Sequence, residues 1–183
     1  MSRIAGCFED LKQQGRKALI PYIVAGDPNQ DLTVPMMHKL VAQGADILEM
    51  GVPFSDPMAE GKVIQLAHER ALESRMGLRG ILAMIKTFRQ TDDKTPVILM
   101  GYANPIEYMG YQVFAEAASG AGVDGVLTVD IPPEEAAGLN IELKKVAIDN
   151  IFLVAPTTDT DRIKKIAQLA TGFVYFVSLK GVT

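Results

Sequence analysis

The chain has 183 residues, 48% of them hydrophobic and 22% charged, which suffices for one domain with a sizeable core and is ordinary for a globular protein. Its net charge of −4, with no run of Lys or Arg, excludes the basic footprint of a nucleic-acid binder, and no apolar stretch approaches the roughly 20 residues of a membrane span. Cys7 is the single cysteine, which excludes an internal disulfide framework and fits a reducing, cytoplasmic compartment. The two histidines, His38 and His68, are far apart and join no cluster at ligand spacing, so no metal site is expected.

Ile4, Phe8 and Leu11 recur at helical spacing and predict a short amphipathic helix over 3–13. The apolar run 18–25 ends at Gly26-Asp27-Pro28 and suits a strand buried on both faces, with Pro21 near its start. Leu32, Met36 and Leu40 give a helical stripe over 32–41, closed by Gly44. A strand over 45–50 opens into the long loop 51–61. Two helical stretches follow, over 63–73 and 78–88. Beyond them come a strand over 96–102, a helix over 111–121 ending in Gly122, and a strand over 125–129. A helical region over 133–148, a strand over 151–155, a helix over 159–170 and a strand over 173–178 complete the series.

Six apolar strands alternating with helices predict a parallel sheet covered by helices. No glycine-rich nucleotide fingerprint follows the first strand. Polar residues gather after every strand: Asp27, Glu49, Tyr102 with Asn104, Asp130, Thr157 with Thr158, and Ser178. A closed barrel collects all strand ends at one mouth, whereas an open sheet concentrates function at one switch point. The expectation is therefore a TIM barrel, (β/α)8, with about six βα units in these residues and strands 7 and 8 absent. In domain terms that is one barrel domain over 1–183, incomplete at its C-terminal side.

Glu49 interrupts a buried strand, and the loop after it carries Asp56 and Glu60. Partial desolvation at a strand end raises a carboxylate's pKa toward a value useful for proton transfer. The plainer alternative is a side chain reaching solvent at the barrel mouth. Two carboxylates in different surroundings offer an acid/base pair. Tyr22 and Tyr102 are placed to line an apolar slot, and Tyr175 to point inward with a hydroxyl that needs a partner. As single residues they are more often core, and Asp130 reads equally well as a helix cap.

These residues also resemble a known family. The stretch from Ile47 to Gly61, ILEMGVPFSDPMAEG, resembles the signature of the tryptophan synthase alpha chain family. Pro21–Pro28, Met100–Pro105, Val129–Pro133, Ala155–Thr158 and Val177–Thr183 resemble its other strand ends, in order. The resemblance implies a (β/α)8 barrel that cleaves indole-3-glycerol phosphate to indole and glyceraldehyde 3-phosphate, with no cofactor. It also implies a partner, the tryptophan synthase beta chain, in an α2β2 heterotetramer.

By the same resemblance Glu49 is the general acid/base, and Glu60 stands where the family usually has an aspartate facing the indole N–H. Tyr22, Ile64, Met100, Tyr102, Leu127, Val129, Leu153 and Tyr175 match the wall around the indole, and Asp56 and Thr183 match loops that meet on closure. Lys62 and Val63 stand where the family often has Pro and Thr, and Lys62 is expected to pair with Glu60 and lower its pKa. The family's phosphate site is built after strands 7 and 8. A second reading is therefore a catalytically impaired fragment that binds and activates the beta chain.

Overall fold

The computed structural model describes residues 2–178. The elements run α1 (Arg3–Gln13), β1 (Tyr22–Val24), α2 (Gln30–Ala42), β2 (Leu48–Gly51), α3 (Lys62–Glu73), α4 (Leu78–Phe88) and β3 (Val97–Gly101). They continue with α5 (Ala103–Met109), α6 (Tyr111–Ala121), β4 (Gly125–Thr128), α7 (Ala137–Lys145), β5 (Asp149–Val154), α8 (Thr160–Leu169) and β6 (Val174–Phe176). The strands lie side by side in chain order, and every neighbouring pair is parallel. A sheet that never reverses its order has no switch point, so it curls into a partial (β/α)8 barrel with its helices outside.

Alternation along the strands sorts the core into two layers. Leu48, Met50, Val97, Leu99 and Val126 face outward, into a cluster with Met37, Ile81, Ile85, Phe88 and Phe114 from the helices. Ile47, Ile98, Leu127 and Ile151 face inward and are joined by Ile4 of α1. Gly125 makes room for that helix: a Cβ there would stand 2.9 Å from the Ile4 side chain and 3.0 Å from that of Ile151. The N-terminal helix thus plugs the barrel floor, and Ser2 ties it down by donating to Asp149 Oδ2 at 2.8 Å.

Three local expectations change. The stripe Leu32–Met36–Leu40 is rotated by about one position: Leu32 is exposed, while Thr33 and Met37 are fully buried. A threonine reads as polar, but its Oγ1 accepts the Gly26 N–H at 3.0 Å, which allows it inside. The region after Met100 contains a helix the periodicity did not show, the seven-residue α5. Pro105 is tolerated there because it lies in the first turn, and the Asp130 carboxylate caps the helix from the turn after β4 by accepting the Ala103 N–H at 2.7 Å. Finally, the helical region over 133–148 shortens to α7, and β5 begins at Asp149.

The face opposite the strand ends is held by Asp124, 5% exposed. Its carboxylate accepts from Val97 N at 2.8 Å, Arg89 Nη2 at 2.6 Å and Arg3 Nη1 at 2.8 Å, joining α1, α4 and the start of β3. Removing one partner of such a pair strands the other charge. Asp124→Ala is therefore expected to cost about 3–5 kcal/mol of unfolding free energy, read as a lowered urea midpoint. Arg3→Ala, at the more exposed partner, should cost much less.

Candidate active site

Glu49 lies mid-strand in β2, between Tyr22 of β1 and Ile98 of β3 in register. These neighbours are a largely buried phenol and an apolar side chain, and Glu49 is 4% exposed. Among the described residues its Oε1 has no hydrogen-bond partner. Burial without compensation disfavours the charged form, and the nearby Glu60 adds to the effect; together they push the Glu49 pKa up to about 7. Near neutrality the group is partly protonated and partly ionised, so one carboxyl can both give and take a proton.

The loop between β2 and α3 brings the second carboxylate over the first. Phe54 stacks on Tyr102 with ring centroids 5.0 Å apart, and the Phe54 N–H donates to His68 Nδ1 at 3.0 Å. Further on, Ala59 N–H donates to the Tyr102 hydroxyl at 2.9 Å, and Gln65 Nε2 donates to the Glu60 carbonyl at 2.8 Å. These bonds bury Glu60 to 7% exposure and raise its pKa by desolvation. The expected pairing with Lys62 is not formed: Lys62 is exposed and makes no ion pair among the described residues. A mobile ammonium in water gains little from a carboxylate it must desolvate to reach. Asp56 is exposed near the loop's tip and accepts from Ser55 Oγ at 2.5 Å.

Three tyrosines surround the two acids. Burial comes first in raising the pKa of Tyr22, Tyr102 and Tyr175, and Glu60 adds to it in all three. Glu49 adds to it for Tyr22 and Tyr175, which places both phenols near both carboxylates. Met100, Leu127, Val129, Leu153 and Tyr175 all belong to the inner cluster. Ile64 of α3 and Tyr22 pack instead against the helix-side cluster. Tyr102, 2% exposed, is sealed beneath the loop by its bond to Ala59. Thr183 lies outside the described residues. Among those residues no group of three metal-ligating side chains forms. His68 is buried at the root of the loop; no spacing in the sequence singles it out, and only the fold brings it to Tyr22 and Phe54.

A family model described as the tryptophan synthase alpha chain matches residues 8–183. A tryptophan synthase alpha chain from Thioalkalivibrio sulfidiphilus is 63% identical over all 183 residues, which make up 69% of that relative. One from Thiobacillus denitrificans is 61% identical over the same span, 67% of its length. Among solved structures, tryptophan synthase subunit alpha from Legionella pneumophila superposes with a TM-score of 0.95 at 53% identity, over 97% of this chain and 68% of that one. The tryptophan synthase a2b2 complex from Pyrococcus furiosus contains a chain with a TM-score of 0.84 at 41% identity, covering 88% of this chain and 68% of that one.

A carboxylate whose pKa is raised on folding binds more protons in the native state, so folding is opposed as pH rises through the native value. Glu49→Gln should therefore be more stable than the parent above pH 7, by up to about 3 kcal/mol. The difference should shrink toward zero near pH 5, where Glu49 is protonated. Urea midpoints for the two proteins from pH 5 to 8.5 measure it.

Proposed function

This chain belongs to the tryptophan synthase alpha chain family, and from that footing we propose that its barrel mouth cleaves indole-3-glycerol phosphate into indole and glyceraldehyde 3-phosphate. It is a lyase of tryptophan biosynthesis. The substrate and the residue roles are our reading, and one observation carries them. A carboxyl with a pKa of about 7 and an unpartnered oxygen sits in an apolar layer beneath a second buried acid.

In this reading Glu49 protonates indole C3, which turns the ring into a cation carrying N–H. Glu60 accepts that N–H and stabilises the charge. Glu49, now ionised, takes the proton from the adjacent glycerol hydroxyl. The carbon–carbon bond then breaks, its electrons return to the ring, and the glycerol carbon becomes the aldehyde. The proton lent at C3 is recovered from the hydroxyl, so the protein's own carboxyl closes the cycle without a cofactor. Each transfer contributes about 10²–10⁴ in rate, more when water is kept out.

Met100, Leu127, Val129, Leu153 and Tyr175 supply the apolar wall of the indole site, with Tyr22, Ile64 and Tyr102 completing it toward the loop. Asp56 and Thr183 are assigned to loop closure. A beta-chain partner is implied by the complexes among the structural neighbours, and we extend that to an α2β2 heterotetramer. A cytoplasmic location and a single barrel domain spanning 1–183 belong to the same proposal; the free Cys7 supports the first. No observation favours the impaired-fragment reading.

Indole release from indole-3-glycerol phosphate, with beta chain present, tests the proposal. Glu49→Gln should lower the rate by at least about 10² with the fold intact, and near-parental release would remove Glu49 from its role. Glu60→Asp retracts the carboxylate by about 1 Å, enough to cost on the order of 10² in rate if the loop is built around the longer acid.

A further inference from the structure

The cleavage scheme leaves unused a buried titratable side chain beside the site. His68 of α3 is 1% exposed and sits under the root of the loop. Its Nδ1 accepts the Phe54 N–H at 3.0 Å. A nitrogen that accepts carries no hydrogen, and burial holds the imidazole neutral by lowering its pKa, so the ring hydrogen is on Nε2. Nε2 lies 3.4 Å from the Tyr22 hydroxyl. Between them the imidazole must donate and the phenol oxygen accept, which leaves the phenolic hydrogen to point elsewhere.

The strand geometry narrows the choice. Tyr22 is the register partner of Glu49 and so shares its face of the sheet. Its hydroxyl rests on Gly51, two residues along that face, where a Cβ would overlap it. The titratable groups facing Tyr22 are Glu60 in the loop, Glu49 on β2, Tyr102 after β3 and His68 on α3. Tyr175 of β6 faces the same two acids. Of these, the carboxylates are the strong acceptors.

We propose that His68 is a positioning residue: by donating to Tyr22 it frees the phenolic hydrogen for the site's carboxylates, which the hydroxyl does not yet bond, and by accepting from Phe54 it ties that donor to the loop bearing Glu60. The inference deepens the proposed cleavage and rests on it. Tyr22 then favours the ionised acid, the form that binds the ring N–H and takes the glycerol proton.

The test combines kinetics and NMR on the full protein with beta chain present. Tyr22→Phe and His68→Leu should each lower kcat by about 2- to 12-fold, the worth of one hydrogen bond. Each should also move the acid limb of kcat/KM to higher pH, because the ionised carboxylate has lost a donor. The double variant should lose no more than either single one. His68→Gln, whose amide nitrogen reaches toward the Nε2 position, should recover part of the His68→Leu loss. Additive losses, or an unmoved limb with only KM or stability changed, would overturn the proposal.

The ¹⁵N shifts of His68 decide the pair independently of cleavage. A bare Nδ1 with a protonated Nε2, the latter alone perturbed by Tyr22→Phe, supports it, and a proton on Nδ1 sinks it. If the parent protein releases no indole, the cleavage reading fails while these shifts still decide the pair. If His68→Leu does not fold, Tyr22→Phe and the shifts decide.

Discussion

A carboxyl group held out of water on the inner face of β2 is the constraint around which this molecule is arranged. Burying it costs free energy, and among the described residues no hydrogen bond offsets that cost at Glu49 Oε1. The rest of the barrel supplies the conditions for it. Apolar neighbours at the same level keep the medium dry, and the loop above places a second acid where like charge raises the first one's pKa further. A solvated carboxylate at a strand edge would have neither property. The strain on this one group is what makes it useful for moving a proton near neutral pH.

The loop that closes over it is held by side chains from two other elements. Tyr102, from the end of β3, carries the stack on Phe54 and the bond from Ala59. His68, from α3, takes the bond from Phe54. A segment containing Pro53, Pro57 and Gly61 has few backbone partners of its own, so these contacts replace a ladder it cannot form. They also explain why Glu60 is buried although it comes from a loop. Its position belongs to the architecture rather than to a favourable local conformation.

Much of this was legible in the residues. Apolar runs separated by helical spacing gave six strands and a parallel sheet, and Glu49 stood out because a strand buried on both faces has no ordinary use for an acid. The motif over 47–61 carried the family. What escaped was decided by distance in space. Thr33 reads as solvent-facing until its hydroxyl is seen on Gly26 N. The helix α5 is seven residues long, too short for a periodic signal, and its cap comes from Asp130 in the turn after β4. Lys62 looked like a partner for Glu60 because it is two residues away, but side chains two apart at a helix start do not face each other. His68 carried no signal at all, since its partners lie 14 and 46 residues away in sequence.

The helix that plugs the barrel floor has a kinetic meaning. α1 precedes every strand in the chain, yet the pocket for Ile4 is formed by β3, β4 and β5, and the clamp on Ser2 comes from Asp149, 147 residues later. Contacts of such separation form late, after the strands between have closed on one another. A contact formed so late holds the assembled sheet together rather than speeding its assembly.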